Sequence, residues 1–139
     1  MKNLDQRNQI IEYSLKLNST NLSPLRSGNI SLRAREDDID GYLITPSGKK
    51  YEKLKPEDIV FMGLNEEEEK NSTNKPSSEW RFHRDIYVNK KEAQAIVHAH
   101  SPHATAVSSH GKPIPPFHYM IALAAVSYTH LTLPTICSV

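Results

Sequence analysis

Cysteine is almost missing from this sequence: Cys137 stands alone among 139 residues, so no disulfide can close within the chain. A single thiol fits a reducing compartment. An excess of one charge is missing too. The 17 Lys and Arg face 16 Asp and Glu, and a net charge of +1 argues against a nucleic-acid surface built on bulk positive charge. No apolar run is long enough to cross a bilayer, and the Met-Lys-Asn-Leu-Asp-Gln start carries no apolar stretch of the signal-peptide kind. Neither a nucleic-acid partner nor a membrane is expected, and a cytoplasmic protein is. What remains, 37% hydrophobic and 24% charged residues, is the balance of one globular domain.

The order of helix and strand signals comes next. Leu4, Ile11 and Leu15 recur at helical spacing between charged neighbours, which predicts an amphipathic helix over residues 4–17 covering one face of a sheet. After a polar stretch containing Pro24, residues 30–33, 42–45 and 59–62 read as short strands, the second stopped by the Pro46-Ser47-Gly48 turn cluster. Residues 65–76 include four successive glutamates at 66–69 and read as a solvated loop. Ser77-Ser78-Glu79 marks a helix start followed by apolar Trp80, Phe82, Ile86 and Tyr87. Residues 95–100 read as a buried strand, and Ser101-Pro102 is a good cap and first turn for another helix. Alternating strands and helices point to an α/β layer fold.

Three features carry chemistry. His98 and His100, two apart on a strand, share a face and offer two imidazole nitrogens to one metal ion, although His-x-His equally describes two histidines satisfied by hydrogen bonds. His103 reads as a supporting or structural residue, and His83, His110 and His118 as ordinary polar positions. Glu79 at a helix N-terminus would, alone, be a stabilising charge. Beside His-x-His and the hydroxyls of Ser77 and Ser78 it becomes a carboxylate able to remove a proton next to the carbonyl of a phosphorylated compound. The turns Ser27-Gly28-Asn29 and Thr45-Pro46-Ser47-Gly48 have the composition of any connecting turn, but also that of a phosphate cradle made of backbone amides and short neutral donors.

Taken in order, Ser-Gly-Asn-Ile-Ser-Leu-Arg (27–33), Leu-Ile-Thr-Pro-Ser-Gly (43–48), Tyr-Glu-Lys-Leu (51–54), Pro-Ser-Ser-Glu-Trp-Arg-Phe-His (76–83), Val-His-Ala-His (97–100) and His-Tyr-Met-Ile-Ala (118–122) resemble the class II aldolase/adducin family. The fourth and last runs are most similar to the L-fuculose-phosphate aldolases within it. The resemblance implies a three-layer α/β/α fold, a homotetramer with active sites at subunit interfaces, and zinc-dependent cleavage of a small-molecule sugar phosphate to dihydroxyacetone phosphate and an aldehyde. Zinc, as a Lewis acid, takes the place of a Schiff-base lysine. His98 and His100 match the first two of three zinc histidines, and Glu79 matches the catalytic acid/base, which also approaches the metal when substrate is absent. Asn29, Ser47, Gly48, Ser77 and Ser78 match phosphate-binding positions, with Gly28 beside them. Tyr119 matches a tyrosine that reaches a neighbouring subunit's site and exchanges a proton with the aldehyde-derived oxygen.

Relatives within the same family leave other readings open: an L-ribulose-5-phosphate 4-epimerase, which typically carries Asp where this chain has Glu79, a sugar-phosphate dehydratase, or a non-catalytic adducin-like interaction module. Glu79, His98 and His100 count against the last. The resemblance covers about residues 1–125. The family's third zinc histidine stands in a His-His-Gly segment that this sequence does not contain, and residues 126–135 read as a translated transposon-derived sequencing adapter. The expectation is an N-terminal part of a class II aldolase domain over 1–125, truncated at its C-terminus, and a non-native tail over 126–139, which takes from Cys137 its weight as redox evidence. A chain of this length should then bind zinc weakly and cleave little substrate.

Overall fold

In the computed structural model residues 1–24, 27–65 and 74–111 are described. His118, Tyr119 and the 126–139 segment lie outside the described residues.

The alternation of one strand organises the layers. β1 (Asn29–Glu36) lies between β2 (Ile39–Ile44) and β4 (Ala95–His98), with β3 (Val60–Gly63) beyond β2. All three pairings are antiparallel. β1 and β2 form a hairpin whose turn residues, Asp37 and Asp38, both sit at positive φ (48° and 64°), a backbone twist that suits a two-residue hairpin loop. On one face of β1, Ile30 and Ala34 pack with Leu43, Ile59 and Phe61 beneath Ile10 and Leu17 of α1 (Leu4–Ser19). On the other face Asn29, Ser31 and Arg33 turn toward α2 (Trp80–Asn89), where Tyr42, Ile44, Val60 and Met62 pack with Trp80 and Tyr87. Helix, sheet and helix therefore stack as the α/β/α order expected from the sequence. The pairing of β1 with β4 sets Asn29 opposite His98.

Three local expectations need correction. The buried stripe of α1 is Arg7, Ile10, Ser14 and Leu17, while Leu4 and Leu15 remain 47% and 39% exposed. Arg7 takes an inward position because its guanidinium donates to the carbonyls of Lys2 (2.9 Å) and Pro56 (3.2 Å), to that of Ile59, and to Glu36 Oε1 (2.9 Å). On α2, His83 rather than Phe82 lies inward between Trp80 and Tyr87; Phe82 is exposed. Finally, 95–100 is not a buried strand: β4 is at the sheet edge among the described residues, Val97 is 58% exposed, and His100 lies past the strand's end. The last helix among the described residues, α3 (Pro102–Ser108), begins as expected, with Ser101 Oγ accepting from the Ala104 amide at 3.3 Å.

Candidate active site

Two turns and the start of α2 are stitched together by backbone. The Ser77 amide donates to the Thr45 carbonyl (3.0 Å) and the Ser47 amide to the Lys75 carbonyl (2.9 Å). Gly28 is required by close approach: a Cβ there would stand 2.5 Å from the His98 carbonyl oxygen. Gly48 is required by its backbone, at φ 76°. The Tyr51 hydroxyl donates to the Gly28 carbonyl and ties the first turn to the segment after the second. Between these pieces lies a cavity of about 410 Å³ lined by Ser27, Gly28, Asn29, Thr45, Pro46, Ser47, Gly48, Lys49, Tyr51, Ser77, Ser78, Glu79 and His100. All six residues read from the sequence as phosphate-binding, Gly28, Asn29, Ser47, Gly48, Ser77 and Ser78, are on its wall.

Most of that wall offers neutral hydroxyl and amide donors. Lys49 adds one cation, but its ammonium is paired with Asp58, which also accepts from the Lys55 amide (3.0 Å) and the Asn74 side chain (3.3 Å). Burial pushes the Asp58 carboxyl up, yet the bonds from Lys49 and Lys55 outweigh it and hold the group below its ordinary value.

At one end of the cavity Glu79, His98 and His100 offer ligand atoms that all lie within 4.8 Å of one another. Glu79 Oε1 is 3.4 Å from His98 Nε2, and the Nε2 atoms of His98 and His100 face each other at 2.5 Å. Two imidazole nitrogens that close need a proton or a cation between them. Burial lowers the pKa of His98, Glu79 acts in the opposite direction, and His100 lowers it again; the net shift is downward. A neutral imidazole is the form that binds metal. One carboxylate and two imidazoles fit a divalent ion, and three protein ligands with a position left for substrate is the usual plan of a catalytic zinc site. The histidines do not converge by sharing a strand face, as the sequence suggested. His98 ends β4, and the chain then leaves the sheet, with the His100 amide held by Ser23 Oγ at 3.2 Å.

The other oxygen of Glu79 enters a buried chain of hydrogen bonds. Asn29 Nδ2 donates to Glu79 Oε2, and Asn29 Oδ1 meets His83 Nε2. His83 Nδ1 is 2.6 Å from Ser31 Oγ, which is 2.9 Å from the Tyr87 hydroxyl. Burial, then the nearby His98 charge, lowers His83 to about 4. Burial raises the Tyr87 phenol, against the bond it shares with Ser31. His103 is exposed on α3.

The Class II Aldolase and Adducin N-terminal domain model matches residues 8–136. The chain belongs to the class II aldolase and adducin family. Among its relatives in this family, it is 43% identical over 118 residues to the 5-methylthioribulose-1-phosphate/5-deoxyribulose-1-phosphate aldolase of Rhodospirillum rubrum, covering 85% of this chain and 51% of that protein. It is 45% identical over 116 residues to the L-fuculose phosphate aldolase of Escherichia coli, covering 84% of this chain and 51% of the relative. Among solved structures, an L-fuculose 1-phosphate aldolase matches with a TM-score of 0.76 at 36% identity, covering 86% of this chain and 55% of the other. The L-fuculose-1-phosphate aldolase from Thermus thermophilus matches with a TM-score of 0.66 at 29% identity, over 84% of this chain and 57% of the other. The chain spans about half the length of the curated relatives it matches.

Within this class II aldolase/adducin domain, sequence reasoning named the three groups of the candidate metal centre and six other residues of the cavity wall, but it passed over His83 and the wall residues Lys49 and Tyr51. Two signals for His83 were present. His83 follows Glu79 by one helical turn, and Ser31 follows Asn29 by one strand repeat, so two polar pairs face each other across the α2–sheet layer.

Proposed function

We propose that the intact protein is a metal-dependent aldolase that cleaves a ketose 1-phosphate, such as L-fuculose 1-phosphate, to dihydroxyacetone phosphate and an aldehyde. The observation that carries this reading is the convergence of Glu79, His98 and His100 at the end of a cavity lined by neutral anion donors. The names of the relatives support the ketose 1-phosphate class. The relative named for 5-methylthioribulose 1-phosphate and 5-deoxyribulose 1-phosphate makes a second substrate of the same class worth equal attention.

Glu79, His98 and His100 would hold the ion, with zinc the best fit to two imidazoles and one carboxylate. When bound, such an ion supplies Lewis acidity at the carbonyl end of the substrate. The hydroxyls of Ser47, Ser77 and Ser78, the Asn29 amide and the backbone at Gly28 and exposed Gly48 would take the phosphate. Neutral donors suit a group that must leave with each turnover, because they bind without an ion pair to break. In cleavage, the carbon–carbon bond would break as the hydroxyl proton of the departing aldehyde leaves to solvent by way of Tyr119, and Glu79, protonated from solvent for this step, would give its proton to the carbon that keeps the electron pair. Tyr119 is the proposed partner of the aldehyde oxygen. A homotetramer would bring that residue from a neighbouring subunit, and exposed Phe82, whose ring centre is 6.0 Å from that of His98, offers apolar surface beside the site.

The test is Glu79→Gln in the intact protein, assayed on L-fuculose 1-phosphate and 5-deoxyribulose 1-phosphate with and without chelator. Turnover should fall about 10²–10⁴-fold, the range of a lost general acid or base. Full turnover in that variant rejects the role of Glu79, and cleavage indifferent to chelator rejects the metal.

A further inference from the structure

We propose that His83 is a positioning residue for Glu79: it fixes the side-chain amide of Asn29 so that Nδ2 faces the carboxylate and the cavity. This rests on the reading of Glu79 given above, and it follows from donor and acceptor roles along the buried chain. A carboxylate only accepts, so the Asn29 atom facing Glu79 Oε2 is the amide nitrogen. The Asn29 oxygen then faces His83 Nε2, which must carry a hydrogen and donate it. A neutral imidazole with hydrogen on Nε2 has a bare Nδ1, and that atom accepts from Ser31 Oγ at 2.6 Å. Having given its hydrogen, the Ser31 oxygen accepts from the Tyr87 hydroxyl at 2.9 Å. Every donor in the chain points the same way, toward Glu79.

Water does not share these roles. Asn29 is 4% exposed, Tyr87 1%, and Ser31 and His83 0%, so solvent reaches these groups little, and the Tyr87 hydroxyl is held at the other end of the chain by the Ile96 backbone as well. A side chain that merely filled the gap between Trp80 and Tyr87 would be apolar; an imidazole there gives up hydration and regains it only through Asn29 and Ser31. Asn29 also lines the cavity, and with one N–H bonded to Glu79 the second is the one that would meet an anion there. Turning that amide over would set an oxygen against the carboxylate and withdraw both donors at once. His83 thereby couples the orientation of the carboxylate to that of the anion pocket through one planar group.

The experiment compares His83→Gln with His83→Asn in the intact protein. The glutamine amide nitrogen lies near the place of Nε2 and keeps the donor to Asn29; the asparagine amide nitrogen lies near Nδ1 and loses it. Metal affinity is read with Co²⁺ alone by chelator competition, kcat and KM with L-fuculose 1-phosphate, and thermal midpoints for both. The expected result is a loss of 10–100-fold in Co²⁺ affinity or kcat for His83→Asn, the size seen when a ligand's supporting partner is removed. His83→Gln should stay near wild type although its thermal midpoint falls by a similar amount. Equal losses in the two variants, or unchanged Co²⁺ affinity and kcat in both, would overturn the proposal. If either variant fails to fold, the ¹⁵N spectrum of the wild-type histidines decides: an Nε2–H tautomer at His83 supports the chain, and an Nδ1–H tautomer sinks it. Should Glu79→Gln abolish turnover while His83→Asn changes nothing, the aldolase reading stands and only this one falls.

Discussion

On one side of Glu79 lie Asn29, His83, Ser31 and Tyr87, none more than 4% exposed and each bonded to the next; on the other lie His98 and His100, partly buried, their nitrogens facing each other. The first cluster is sandwiched between the sheet and α2, where a complete set of hydrogen bonds in low dielectric holds one arrangement. The second belongs to a strand that stands at the sheet edge among the described residues and to the loop beyond it, with its imidazole nitrogens turned to each other and to Glu79. The difference teaches how one carboxylate can be both held and available. The closed side sets where it is; the open side leaves room for an ion and for chemistry.

Removing the open side should have the largest effect. His98→Ala is expected to bring ketose 1-phosphate cleavage to background and to strip the protein of metal; normal metal content by elemental analysis would show that the open side is not where the ion sits. The closed side should fail through acid instead. With His83 lowered from 6.5 to about 4 in the folded state, the unfolded chain takes up a proton first as pH falls. Its contribution is therefore intact above pH 6.5 and shrinks toward pH 4, by roughly 3 kcal/mol. Denaturant titrations of metal-free wild type and His83→Gln across that window check it: the variant should lose that part of the slope, and equal slopes would contradict a buried neutral imidazole. The smallest effects separate core from edge. Tyr42→Phe removes a buried hydroxyl that donates to the Trp80 carbonyl at 2.8 Å and should cost about 1 kcal/mol. Val97→Thr on exposed β4 should stay within about 0.5 kcal/mol. A larger cost at Val97 than at Tyr42 would mean that the edge is covered.

Much of this was legible in the sequence, for identifiable reasons. The alternation of signals gave the layers, because the period of a buried face is local. The cavity residues were legible because Gly28, Asn29, Ser47, Gly48, Ser77 and Ser78 fall in three short polar turns, each bounded by a strand or helix. Illegible features depended on remote partners. His83 resembles any polar helix residue until Asn29 and Ser31, more than fifty positions earlier, are placed opposite it. Arg7 looks like a surface charge until the carbonyls of Pro56 and Ile59 arrive to accept from it. The run Ala95-Ile96-Val97 looks like core, since strand order, which a single segment cannot encode, decides that β4 stands at an edge among the described residues.

The pairing of Asn29 with His98 makes the sheet itself a gauge. Residues opposite each other on antiparallel strands stand about 4.5–5.5 Å apart whatever their side chains are. Here one member lines the cavity and the other is a candidate metal ligand, so in the proposed aldolase hydrogen-bond register would set the interval between the phosphate and the carbonyl of the substrate. A slip of one residue would exchange faces along the whole strand and destroy both ends together. Substrates that keep that interval and differ beyond it can be exchanged by altering other walls, leaving the gauge untouched.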